Sequence, residues 1–97
     1  MGSAPDVDVE KVANLFKVLA DETRLKIVHL LSQKELKVGS IAQTLDLTPS
    51  NVSHHLRLLR NARLVKHRRD GKMIYYSLDD DHVDAIIDQG FKHASHT

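Results

Sequence analysis

Cysteine and tryptophan are both absent from this 97-residue chain. Without cysteine there can be no disulfide and no thiolate metal site. Aromatic residues make up only 4% of the chain, so any core must be aliphatic, which suits small packed helices. No apolar run approaches the roughly 20 residues of a membrane span, so no membrane partner is expected. The amino terminus lacks a secretory pattern, and Asp6 stands where a myristoylation signal needs Ser or Thr. These absences lead us to expect a cytoplasmic protein. Net charge is nearly absent too, at +1.

The 41% of hydrophobic residues is enough for one small packed domain, and the length leaves hardly room for two. A core of this size is marginal alone, which favours a partner subunit. The near-zero charge hides an asymmetry. From Arg57 to Lys72 there are seven basic residues against one acid, and from Asp79 to Asp88 five acids and no base. One surface thus suits a polyanion and another suits cations.

Residues 1–6 read as a flexible amino terminus and residues 7–97 as a single domain. Between Val7 and Ala20, Val12, Leu15, Phe16 and Leu19 recur at helical spacing. Asp21 is a good N-cap for a second helix, whose Leu25, Ile27, Val28, Leu30 and Leu31 form a broad apolar face. "SQKELK" breaks the pattern and reads as a connection. Val38, Ile41, Ala42 and Leu45 then define a short helix. After "DLT", Thr48 caps another helix with Pro49 at its first position, where a missing N–H costs nothing. Two short helices joined so tightly are a helix-turn-helix. Two runs rich in Val, Ile and Tyr flank Asp70-Gly71, a hairpin signal that reads as the wing of a winged helix. A last helix covers about residues 80–95. The expected fold is therefore mainly α with a β-hairpin wing: a winged helix-turn-helix.

Ser50, Asn51, Ser53, His54, His55 and Arg57 point outward on the second helix of the pair. Small donors there suit base edges in the major groove, and Arg57 can reach phosphate or guanine. Arg68, Arg69 and Lys72 on the wing suit phosphate or the minor groove. The plain alternative is a solvated helix beside a basic loop. The capping, the basic arm and the wing occur together, and that combination favours double-stranded DNA. Catalysis is disfavoured, because adjacent His54 and His55 diverge by about 100° on a helix and cannot serve one site.

The last helix carries three histidines. His82 and His93, eleven residues apart, point within about 20° of each other, and His96 lies one turn further. Val83, Ile87, Gly90, Phe91 and Ala94 form a separate apolar stripe. Eleven helical residues span about 16 Å, whereas ligands of one zinc ion sit only about 3–4 Å apart. One helix cannot close such a site. Two antiparallel copies about a dyad can, and they would form two sites per dimer. Asp79, Asp80 and Asp81 are all candidates for a fourth ligand. An ideal helix puts Asp80 about 160° from His82, an objection that weakens if the chain is not yet helical there.

"LADETRLKIVHLL", "LTPSNVSHHLRLLRNARLV", "RRDGKMIYYSL" and "DDDHV…HASH" resemble segments of the ArsR/SmtB family of metal-sensing repressors. The last segment looks most like the carboxy-terminal metal motif of the CzrA-type zinc sensors. That resemblance implies Asp80 and His82 from one subunit, with His93 and His96 from the other. It also implies a homodimer built through the terminal helices, bound to an inverted-repeat operator and released by Zn2+. The genes so controlled would serve metal efflux. "KVGSIA" lacks the cysteine pair of thiolate-using members. Four N/O ligands favour zinc, with cobalt(II) as a stand-in. The alternatives are a cobalt or nickel sensor, a dimer that binds DNA without sensing metal, and a winged helix that binds protein.

Overall fold

The structure, a computed structural model, describes residues 4–96, and side chains from Asp8 to His96. Met1–Ser3 and Thr97 lie outside the described residues. The elements run α1 (Ala4–Leu19), α2 (Glu22–Leu31), β1 (Leu36–Lys37), α3 (Val38–Leu45), α4 (Pro49–Asn61), β2 (Val65–Asp70), β3 (Met73–Leu78) and α5 (Asp81–Ala94). The fold is mainly α with an antiparallel wing, as the periodicities predict. No helix among the described residues is long and apolar enough to cross a membrane.

The helix starts follow local chemistry. Asp21 accepts the Arg24 amide at 2.9 Å, Thr48 the Asn51 amide at 3.1 Å and Asp80 the Val83 amide at 3.0 Å. Each occupies one of the otherwise orphaned N–H groups of a first turn. The ends of α3 and α4 are equally local. Asp46 and Arg63 adopt the left-handed conformation, with φ of 57° and 59°. Behind them, Leu47 donates to the Ala42 carbonyl and Leu64 to the Leu59 carbonyl, both at 2.9 Å. These six-to-one bonds are Schellman closures made without glycine. They turn the chain sharply on both sides of α4 and so set its direction.

Three details depart from the sequence reading. Helix α1 already begins at Ala4, inside the segment expected to be loose. The "SQKELK" connection contains β1, which pairs Leu36 with Tyr76 and Lys37 with Tyr75. The wing is thus a three-stranded sheet of order β1-β3-β2. Two residues are too few for a strand period to show, and β1 exists only because β3 offers a free edge. The hairpin pairs Val65 with Leu78 through Asp70 with Met73, so its loop is Gly71–Lys72, one residue beyond Asp70-Gly71. Gly71 has φ 65° and Lys72 has no positive φ, the pattern of a turn that wants glycine first.

The core is wholly apolar. Ile27, Val28, Ile41, Val52, Leu59 and Leu64 have no exposed surface. They join α2, α3, α4 and the start of β2, and Leu19, Val83 and Ile87 bring the inner edges of α1 and α5 onto them. The outer faces of those two helices remain uncovered. Val12 and Phe16 are half exposed, although their spacing reads as inward-facing, and Phe91 is 41% exposed. Phe16, Leu19, Leu25, Ile86, Ile87 and Phe91 help line an apolar groove of about 540 Å³.

Candidate nucleic-acid interface and metal centre

Helix α4 presents one polar side to solvent. Val52, Leu56 and Leu59 anchor its other side in the core. That anchoring exposes Ser50, Asn51, His54 and Arg57, while Ser53 is half-buried. The exposed groups supply donors and acceptors suited to base edges and phosphate. The wing tip adds Arg69 and Lys72, both exposed.

Two expected contacts are placed differently, since each already has a partner within the chain. The ring of His55 turns toward α2, with Nδ1 3.3 Å from Arg24 Nη1. Burial pushes this imidazole below its ordinary pKa; Asp21 pulls the other way, and Arg24 and His54 add to the lowering. Arg68 is not at the wing tip but opposite Tyr75 in the hairpin. Its Nε and Nη2 donate to the two Glu35 carboxylate oxygens at 2.8 and 2.7 Å. The guanidinium also lies 4.8 Å from the centre of the Tyr75 ring. Hydrogen bonding to Arg68 holds the Glu35 carboxyl below its usual range and raises the Arg68 guanidinium. Sequence reasoning gave no role to Arg24 or Glu35. Each is separated from its partner by more than 30 residues, beyond the reach of any local spacing rule.

At the start of α5, Asp80 is the N-cap, in extended conformation with φ −159°. Being outside the helix, it escapes the angular objection. One carboxylate oxygen holds the Val83 amide at 3.0 Å, and the other lies 3.5 Å from His82 Nδ1. The Val83 amide is the main reason the Asp80 carboxyl sits below its usual pKa, with the His82 imidazole contributing less. The His82 side chain is 92% exposed. His93 is exposed in the last turn of the same helix, and His96 is exposed just past its end. Asp79 donates its amide to the Leu64 carbonyl at 3.0 Å and Asp81 begins the helix, and of the three aspartates Asp80 is the one whose carboxylate lies beside His82. Among the described residues no group of three potential metal ligands comes together. What the chain holds is one O/N pair, Asp80 with His82, at the start of α5, and two exposed histidines around its other end. An ion that takes nitrogen and oxygen donors fits such a set only across two copies.

Comparison with known proteins agrees with this architecture. The family model "Bacterial regulatory protein, arsR family" matches residues 21–67, from the N-cap of α2 into β2. A cadmium resistance transcriptional regulatory protein CadC homolog of Staphylococcus aureus is 46% identical over 83 residues, covering 84% of this chain and 69% of the relative. A transcriptional repressor SmtB homolog of Synechocystis is also 46% identical, over 76% of this chain and 56% of its own length. The solved homodimeric winged helix-turn-helix DNA-binding domain of a possible ArsR-family regulator from Mycobacterium bovis superposes with TM-score 0.91 at 28% identity. That superposition covers 98% of this chain and 88% of the other. With a winged helix-turn-helix whose reading helix faces solvent, and relatives of this identity and coverage, the chain belongs to the arsR family of bacterial regulatory proteins, which are transcription regulators and not enzymes.

Proposed function

We propose that this protein is a zinc-responsive repressor of the CzrA type, cytoplasmic and dimeric, which leaves its inverted-repeat operator when zinc binds. One observation carries the reading. Asp80 and His82 meet at one end of α5, while His93 and His96 stand exposed at the other. The set of three imidazoles and one carboxylate suits four-coordinate zinc. When bound, the ion supplies a link between two α5 helices. The cadmium in the staphylococcal relative's name is not carried over, because this chain has no cysteine for a thiolate site.

The dimer reading has its own support. Val12 and Phe16 on α1 and Ile86 and Phe91 on α5 leave apolar surface open to water. A second copy packed there about a dyad removes that surface and brings the start of one α5 beside the end of the other. In the Mycobacterium bovis relative the domain is homodimeric.

The residues then divide the work. Ser50, Asn51, His54 and Arg57 read DNA, and Arg69 and Lys72 hold phosphate. Asp80, His82, His93 and His96 hold the metal, in two sites per dimer. DNA requires the two α4 helices about one helical turn apart. A shared metal site selects the relative position of the two subunits. The two ligands therefore compete through one geometry, and each must weaken the other by the same factor.

A titration of zinc into the protein bound to a fluorescein-labelled duplex, selected by this protein from a random pool, tests all three parts. The expected result is tight binding without metal and release at about two zinc ions per dimer. Binding that zinc leaves unchanged would leave a DNA-binding dimer without metal control.

A further inference from the structure

Arg24 takes part in neither the exposed face of α4 nor the metal half-sites, yet it joins three helices. Its amide sits on the Asp21 carboxylate at the start of α2, at 2.9 Å. Its Nε donates to the Val18 carbonyl of α1 at 2.6 Å. Its Nη1 reaches His55 Nδ1, halfway along α4, at 3.3 Å. A guanidinium has donors only, so His55 Nδ1 is the acceptor and the ring proton sits on Nε2. The planar fork suits this work, because its donors leave at fixed angles toward two acceptors on different elements.

We propose that Arg24 is a positioning residue for DNA recognition: through neutral His55 it fixes the middle of α4 to the corner where α1 meets α2. The proposal rests on the reading of α4 as the DNA-reading helix and adds what sets its roll angle. The core residues Val52, Leu56 and Leu59 give α4 a greasy seat that resists rotation only through packing. The Arg24–His55 hydrogen bond adds a directional restraint next to exposed His54. Rolling α4 enough to break this bond displaces Ser50, Asn51 and His54 together. The same guanidinium holds α1, the helix that carries Val12 and Phe16. A shift of α1 is thereby passed to α4 by a single side chain.

His55 must be neutral to accept. The charged groups acting on it are Asp21 and Arg24 from α2 and His54 from its own helix. Protonation removes the lone pair and sets an imidazolium against a guanidinium.

The test uses the full chain and the selected fluorescein-labelled duplex, read by anisotropy over a range of salt and pH. Arg24→Ala and His55→Ala should each weaken binding about tenfold at pH near 7.5, leaving the salt slope unchanged. His55→Gln keeps an acceptor that does not titrate. It should restore most of the affinity near pH 7.5 and match or exceed wild type as pH falls toward about 5.5. A salt slope reduced by about one in Arg24→Ala would overturn the proposal, showing Arg24 to be a phosphate contact. So would wild-type affinity in Arg24→Ala, or a Gln variant as weak as the Ala variant. If Arg24→Ala does not fold, the two His55 variants decide the matter, since both leave Arg24 and its α1 contact in place. If the wild type selects no duplex at all, the DNA reading of α4 fails, an outcome separate from these.

Discussion

The reading half of the molecule and its outer helices are built to different degrees of completion. In α2, α3 and α4 every core position is filled within one chain, and Ile27, Ile41, Val52 and Leu59 have no exposed surface. In α1 and α5 the inner edge is packed and the outer edge is not: Phe16 is 51% exposed. The polar chemistry divides the same way. Exposed donors on α4 form one contiguous side, whereas the candidate metal ligands form two halves at opposite ends of α5. Under the proposed function, the open apolar edge and the divided ligands mark the side that a second copy would cover, and α4 marks the side that would meet DNA.

The largest expected effect tests the packing side of this contrast. Leu56→Ala, at a residue 1% exposed, should lower unfolding free energy by about 3 kcal/mol at any protein concentration. Phe16→Ala should cost far less in a dilute chain but raise the dimer dissociation constant about tenfold or more. Sedimentation and denaturant titration side by side would show both. Equal concentration dependence in the two variants would erase the distinction.

His93→Ala comes next. It should weaken zinc binding by more than about 100-fold, since loss of a mere supporting contact already costs up to that much. Duplex affinity without metal should stay within about twofold. A variant still released from DNA by micromolar-range zinc would remove His93 from the site.

A smaller effect separates the cations of the wing. Lys72→Ala should reduce the salt slope by about one, as a lost phosphate contact does. Arg68→Ala should reduce it less, because Glu35 already holds Arg68 at 2.7 Å. Glu35→Gln should free Arg68 and steepen the slope. Slopes that fall equally for both cations would mean the Glu35 pair opens on DNA.

The smallest effect is on pH. The Asp21 carboxyl lies below its ordinary pKa, chiefly because it accepts the Arg24 amide. A lowered acid stabilises the fold above its unfolded pKa and loses that contribution as pH falls through its folded one. Asp21→Asn should therefore flatten the melting curve against pH below about 4. For His55, held below 6.5 mainly by burial, stability is full above that value and declines as pH drops through it. A melting temperature flat from about pH 7 to about pH 3 would discard both assignments.

Much of the fold was legible because it is encoded locally. Asp21 and Thr48 cap the helices they precede, and apolar spacing marks α2, α3 and α4. The separation of His82 from His93 was legible too, because eleven residues of helix have a fixed length. Other features depend on residues far apart in the chain. Strand β1 exists only against β3, and the partners of Arg68 and His55 lie more than 30 residues away. The hairpin loop moved by one residue because pairing from Val65 to Asp70 governs register, and the Asp-Gly signal alone does not.

By itself the sequence determined the element types, the aliphatic core, the exclusion of thiolate chemistry and the impossibility of a three-histidine site on one helix. Each follows from local propensity, composition or helix dimensions. Only the tertiary structure decided that Asp80 caps α5 with its second oxygen beside His82, that His55 faces Arg24, and that the α1 stripe stays open. Those outcomes depend on which surfaces are left over after the core has packed, and no single segment of the chain contains that information.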